Sequence, residues 1–159
     1  MRFHIWTVAL LLTGVIASQA QGQEKEPKEK HLKHADLPAA VRRTADEQSK
    51  GATVKGYSQE TENGSVEYEV EMTVNGHSRD VSIAADGSVV EIEEEVALSS
   101  LPAEVREGLQ QLAASGTIGK VESLTKKGSI VAYEAHVTKE GKKSEIQVGP
   151  DGKPLAHPE

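Results

Sequence analysis

The feature that most narrows what this chain can fold into is an internal repetition. Leu37-Pro38-Ala39-Ala40-Val41-Arg42 returns 64 residues later as Leu101-Pro102-Ala103-Glu104-Val105-Arg106. The correspondence continues through Thr53 with Thr117 and Gly64-Ser65 with Gly128-Ser129. One inserted residue then shifts the offset to 65, aligning Tyr68-Glu69 with Tyr133-Glu134, Thr73 with Thr138, Gly76 with Gly141 and Asp86-Gly87 with Asp151-Gly152. A repeated supersecondary unit decides the architecture before any single element is assigned.

Each copy opens with apolar residues at helical spacing: Leu37, Val41 and Ala45 in the first, and Leu101, Val105, Leu109 and Leu112 in the second. Pro38 and Pro102 suit the first turn, where a missing N–H costs nothing. The residue before a proline avoids helical angles, so Leu37 and Leu101 are expected just outside as apolar anchors. Asp36 and Ser100 would cap loosely, and Gly51 and Gly116 suit the exits.

After each helix the period falls from 3.6 to 2. Tyr68, Val70, Met72 and Val74 alternate with Glu67, Glu69, Glu71 and Thr73, while Val131, Tyr133, Ala135 and Val137 alternate with Ala132, Glu134, His136 and Thr138. Such strands have one dry and one wet face. Asn63-Gly64, Asn75-Gly76 and Asp86-Gly87 are hairpin dipeptides set between these runs. The expected fold is α+β, a tandem repeat of one helix followed by a three- to four-stranded antiparallel sheet, with Val89–Val96 as a short fourth strand. The helix covers a face made by Tyr68, Val70, Val81 and Ile83 in one copy and by Tyr133, Val137, Ile146 and Val148 in the other. A unit of about sixty residues is marginal alone, so the copies are expected to share a sheet or to pack together.

The N-terminus carries an export signal. Arg2 supplies a positive charge, Ile5–Ile16 is almost wholly apolar, and Ser18 and Ala20 place small residues ahead of a cut after Ala20. An uncleaved anchor would need about 20 apolar residues, and this run is shorter. Residues 21–35, rich in Gln, Glu, Lys and His, read as a disordered charged tether. The expected division is therefore 1–20 signal peptide, 21–35 tether, 36–96 first repeat and 97–159 second repeat, in a periplasmic or secreted protein with no stable membrane anchor after cleavage. No cysteine occurs, which leaves neither a lipidated cysteine nor a disulfide framework. Without Arg2 the chain holds 17 basic and 25 acidic residues. That balance argues against a nucleic-acid partner, because phosphate binding needs a basic surface.

These residues together resemble the PepSY-like family of bacterial exported proteins, whose tandem form is grouped with the beta-lactamase-inhibitor-like fold. The resemblance rests on the Leu-Pro-x-x-Val helix starts at Leu37 and Leu101, on the Gly-Ser-x-x-Tyr-Glu lead into the strand at Tyr68, with one extra residue before Tyr133, and on the Asp-Gly turns at Asp86 and Asp151. It implies a non-enzymatic extracytoplasmic module that binds or restrains a protein, in some relatives a peptidase. In the inhibitor branch, it implies a concave sheet surface and loops as the gripping elements. No residue matches a defined inhibitory motif, so no site is carried over.

Charge divides the copies. Residues 36–96 hold 5 basic and 14 acidic residues, residues 97–159 eight of each, so the fold does not demand the difference. Glu67, Glu69 and Glu71 line one wet strand face, and Glu91, Glu93, Glu94 and Glu95 crowd the end of the first copy. They are the candidate partner-binding residues for a basic exported protein. The alternative function is a periplasmic small-ligand or cation sensor, with Glu67, Glu69 and Glu71 as metal candidates for a hard ion such as calcium. The plain reading is a solvated face and a charged edge that resists aggregation.

His31 and His34 would make a weak metal site only if the tether ordered, His77 lies in a turn, His136 on a wet strand face and His157 near the end. No nucleophile elbow or zinc-binding helix motif is present, so no catalytic residue, cofactor or enzymatic activity is assigned. Lys126, Lys127, Lys139, Lys142 and Lys143 flank turns of the second copy and would steer an acidic partner, contact anionic lipid or simply keep the hairpin tips soluble. Asn63-Gly64-Ser65 fits a glycosylation pattern and is read only as a turn.

Overall fold

The computed structural model describes residues 29–62, 64–157 and 159. The expected export signal with its cut after Ala20, residues 21–28 of the expected tether, Asn63 and Pro158 lie outside them. Helices begin immediately after the two prolines: α1 spans Ala39–Gln48 and α2 spans Ala103–Ala113. Leu37 and Leu101, just outside, are 3% and 6% exposed, as anchors should be. Neither helix is capped by the residue expected. The carboxylate of Asp36 accepts from the Lys33 N–H at 3.2 Å, and the Ser100 hydroxyl donates to the Ala97 carbonyl at 2.7 Å.

Eight strands accompany these helices among the described residues: β1 Lys30–Leu32, β2 Thr53–Glu62, β3 Ser65–Val74, β4 His77–Ala84, β5 Val89–Glu95, β6 Thr117–Lys126, β7 Ser129–Lys139 and β8 Lys142–Val148. All pair antiparallel with their neighbours in chain order, in one continuous sheet. This overturns the expected α+β tandem of helix-plus-sheet units: the described residues are mostly β, one eight-stranded antiparallel sheet carrying two α-helices. The seam is the β5–β6 ladder, from Glu91 opposite Lys126 to Glu95 opposite Glu122. An unpaired β5 edge would leave a row of backbone donors and acceptors open to other chains, and β6 closes it. The expected tether also contributes structure, since Lys30, His31 and Leu32 pair with Gln59, Ser58 and Tyr57.

Turn chemistry is local. Asn75-Gly76 turns with φ of 52° and 91°, both positive, as a type I′ hairpin requires. Lys127-Gly128 and Glu140-Gly141 adopt the same signs, with the glycine alone supplying the signal in sequence.

Register places both helices on the same side of the sheet. Val70 stands opposite Val81, Val81 opposite Ile92 and Ile92 opposite Thr125, and from Thr125 the alternation leads to Val121, opposite Ala135. Leu37, Val41 and Ala45 close over Val70, Met72, Val81 and Ile83, while Leu101, Val105 and Leu109 close over Val121, Ala135 and Val148. Burying each such Val, Leu or Ile side chain contributes roughly 1.5–3 kcal/mol. At the end of α1, Arg79 donates to the Gln48 carbonyl and to Gln48 Oε1, both at 3.0 Å, and its Nε lies 2.9 Å from Glu94 Oε1. A cation there meets the negative pole of the helix.

α2 approaches the turn after β8 more closely than a side chain would allow. A Cβ at Gly108 would strike the carbonyl oxygen of Gly152, and a Cβ at Gly152 would strike that of Glu104. In the first half, Thr44 donates to the Gly87 carbonyl at 2.6 Å.

Candidate functional site

The face away from the helices is where the charged side chains gather. Cross-strand neighbours on one sheet face are about 4.5–5.5 Å apart, so register alone sets up rows. One row carries Ser58, Glu69, Ser82, Glu91 and Lys126, the next Glu71, Asp80, Glu93, Leu124 and Ala132, and a third Glu95, Glu122, Glu134 and Gln147. With Glu145 of β8, opposite His136, six strands, β3 to β8, place carboxylates on this surface, with Lys120, Lys126 and His136 set among them.

The expected site residues divide by strand parity. Glu67, Glu69, Glu71, Glu91, Glu93 and Glu95 share this open face. Glu94 does not, because it stands opposite Arg79 and Ser123 on the helix side. Glu91 pairs with Lys126 Nζ at 3.0 Å, and Glu95 accepts from the Ser78 N–H at 3.0 Å.

Crowding raises several of these acids. Glu69 is pushed up to about 7, first by burial and then by the charges of Asp80, Glu60, Glu71 and Glu29. Glu93 is pushed up to about 8 by burial, by a hydrogen bond with Glu91 that requires a shared proton, and by the charges of Glu91, Glu122 and Glu134. Burial also raises Asp80, against the pull of Lys120, and raises Glu134 despite a hydrogen bond from Gln147. Burial alone would depress Lys120, but the hydrogen bond and charge of Glu122, with Asp80 and Glu93, lift it. Burial is the first cause for each acid, repulsion among the like charges adds to it, and attraction to the same charges lifts the lysine.

Three contributors escaped the sequence reading. Glu122 is 1% exposed, and its carboxylate meets Lys120 Nζ at 2.8 Å and His136 Nε2 at 3.3 Å. Asp80 sits between Glu71 and Glu93. Ser58, opposite Glu69, is 1% exposed with no hydrogen-bond partner for its hydroxyl among the described residues. Glu122 and Glu134 belong to the half whose net charge is zero, and only strand pairing brings them to the acidic half. Among the described residues, two donor sets come within 4.8 Å: Asp80, Glu93 and Glu122; and Glu122, Glu134 and His136. His34, by contrast, is bonded to Asp46 at 2.7 Å and tilts against the Tyr57 ring, with centroids 5.5 Å apart. The described hydrogen bonds join no serine hydroxyl to a histidine, and His77 faces Glu95 at 3.9 Å.

No helix among the described residues is long and apolar enough to cross a membrane. No family model matches the sequence, and no curated protein matches it. Solved structures do. A DUF2874 family protein from Bacteroides ovatus superposes with a TM-score of 0.58, at 19% identity, over 75% of this chain and 84% of its own. A BLIP-like protein from Bacteroides fragilis gives 0.55 at 19% identity, over 75% and 83%. A protein of proposed periplasmic location from Bacteroides eggerthii gives 0.61 at 19% identity, over 75% and 86%. Likeness at that identity speaks to fold alone, and on it this chain shares its fold with DUF2874 and BLIP-like proteins.

Proposed function

We propose that this protein works outside the cytoplasm as a non-enzymatic binding module, and that the open face of its sheet takes a basic surface of another exported protein, a peptidase or other enzyme whose activity it restrains. The observation that carries this reading is the uncovered face itself, with carboxylates from six neighbouring strands. Eight strands at about 4.8 Å spacing and roughly seven residues of common length give an area on the order of 800 Å², comparable to one side of a standard protein interface. A mainly negative field over that area raises association rates with a basic partner and makes them salt-sensitive. The export signal in the sequence and the descriptions of the structural neighbours as BLIP-like and of proposed periplasmic location support the same reading.

The test is capture from an extracytoplasmic extract on immobilised protein, followed by elution with salt. A retained protein that elutes at moderate salt, and is lost when Glu67, Glu69 and Glu71 are changed to Gln, is the expected outcome. Retention of nothing at low salt, or of a partner indifferent to that triple change, would refute the reading.

A further inference from the structure

One cluster on the open face differs from the rest in containing a nitrogen donor. His136 and Glu134 come from β7 and Glu122 from β6, and their donor atoms converge. His136 Nε2 lies 3.3 Å from Glu122 Oε2 and 3.8 Å from Glu134 Oε1. Donors held tetrahedrally about one ion at 2.0–2.2 Å stand roughly 3.3–3.6 Å apart, and the donor atoms of all three residues lie within 4.8 Å of one another, so a modest closure of the side chains brings them round one ion. We infer that His136, Glu134 and Glu122 form a three-ligand site for a divalent transition-metal ion, zinc by its donor set, with a fourth position open to solvent.

Each ligand's other atom is held from behind. His136 Nδ1 is 3.5 Å from Glu145 Oε1, which would fix the tautomer with Nε2 as the donor. Gln147 Nε2 donates to Glu134 Oε2 at 2.8 Å. Lys120 Nζ and the Ser78 hydroxyl hold Glu122 Oε1 at 2.8 and 3.4 Å, leaving Oε2 turned towards the histidine. Orientation of first ligands by such outer partners is what metal sites use. The other donor set already has a resident cation, since the Lys120 ammonium bonds Glu122 at 2.8 Å and feels the charges of Asp80 and Glu93.

Donor chemistry selects the ion. Calcium takes six to eight oxygens and magnesium an octahedral oxygen shell, whereas one imidazole with two carboxylates suits zinc and its first-row neighbours. The ligands also have a route to solvent. The His136 side chain is 41% exposed while that of Glu122 is 2% exposed. A groove of roughly 520 Å³ lined by Glu134, Glu145, Gln147, Leu155 and Glu159 opens beside them. The inference stands apart from the protein-binding reading, and either can fail alone.

Zinc titration of the untagged protein against a chromophoric competitor tests it, with cobalt absorption as a second readout of tetrahedral geometry. One equivalent of saturable zinc is expected. His136→Ala should abolish tight binding. Glu145→Gln, which removes a positioning residue, should weaken it ~10–100-fold while leaving the metal-free melting temperature nearly unchanged. Absence of saturable binding would leave the cluster an ion-pair hub and overturn the inference. So would binding that survives His136→Ala and disappears in a His31→Ala, His34→Ala double variant.

Discussion

Gly108→Ala sets helix propensity against packing, and the structure says which prevails. In an isolated helix, alanine for glycine gains about 1 kcal/mol. Here the new Cβ would sit 2.9 Å from the carbonyl carbon of Gly152 and closer still to its oxygen, where ordinary heavy-atom contacts need about 3.5 Å. α2 must therefore retreat by something near 1 Å. Val105 and Leu109, both 0% exposed, lie on the same helix, and a gap of that size forfeits a quarter to a half of each dispersion well. Overpacking of this kind costs about 1–3 kcal/mol, and loosened contacts around two core side chains add about 1 kcal/mol more. Set against the propensity gain, the net loss is about 2 kcal/mol. For a domain of this size that lowers the melting temperature by roughly 5–10 °C. Thermal and urea unfolding followed by circular dichroism measure it, with Gly152→Ala expected to move the same way because its φ of 74° and its contact with the Glu104 carbonyl add strain. A Gly108→Ala protein as stable as the parent, or more so, would refute the reasoning.

Two further outcomes concern charge. Glu69 and Glu93 rest near 7 and 8 when folded, above the ordinary 4.5, so the folded state holds their protons more tightly than the unfolded chain. Their contribution is intact at acid pH, and stability should fall as pH rises from about 4.5 through 8. A lower urea midpoint at pH 9 than at pH 5.5, with Glu93→Gln reducing the difference, is expected; an unchanged difference in that variant would reject Glu93 as a source. Arg79→Met should cost about 1–3 kcal/mol by stripping the Gln48 carbonyl and Glu94 of their partner. Hydrogen exchange should quicken first at the C-terminal turn of α1, and uniform quickening across the chain would contradict that account.

Local rules explain what was readable in advance. Pro38 and Pro102 mark helix starts because a proline forbids helical angles in the residue before it. Asn75-Gly76 marks a hairpin because positive φ is inexpensive there, and period 2 assigns Val70 and Met72 to the dry face and Glu69 and Glu71 to the wet one. The same parity separates Glu94 from Glu93 and was available in the sequence, although a run of three glutamates conceals it. Lys127-Gly128 and Glu140-Gly141 were harder, since lysine and glutamate give no turn signal of their own. His31 and Leu32 sit in a polar segment whose strand exists only because β2 offers an edge.

The sequence by itself therefore determined where helices and hairpins start and which residues of each strand stay dry, since these depend on neighbours within a few positions. Tertiary structure alone decided that β5 and β6 pair, which turned the expected helix-plus-sheet units into one sheet. With that pairing it decided that Asp80, Glu93, Lys120, Glu122 and His136 meet on one face. Register between strands separated by a helix is set by the simultaneous burial of both helix-facing surfaces and by backbone bonds with no residue preference, so it leaves no local mark.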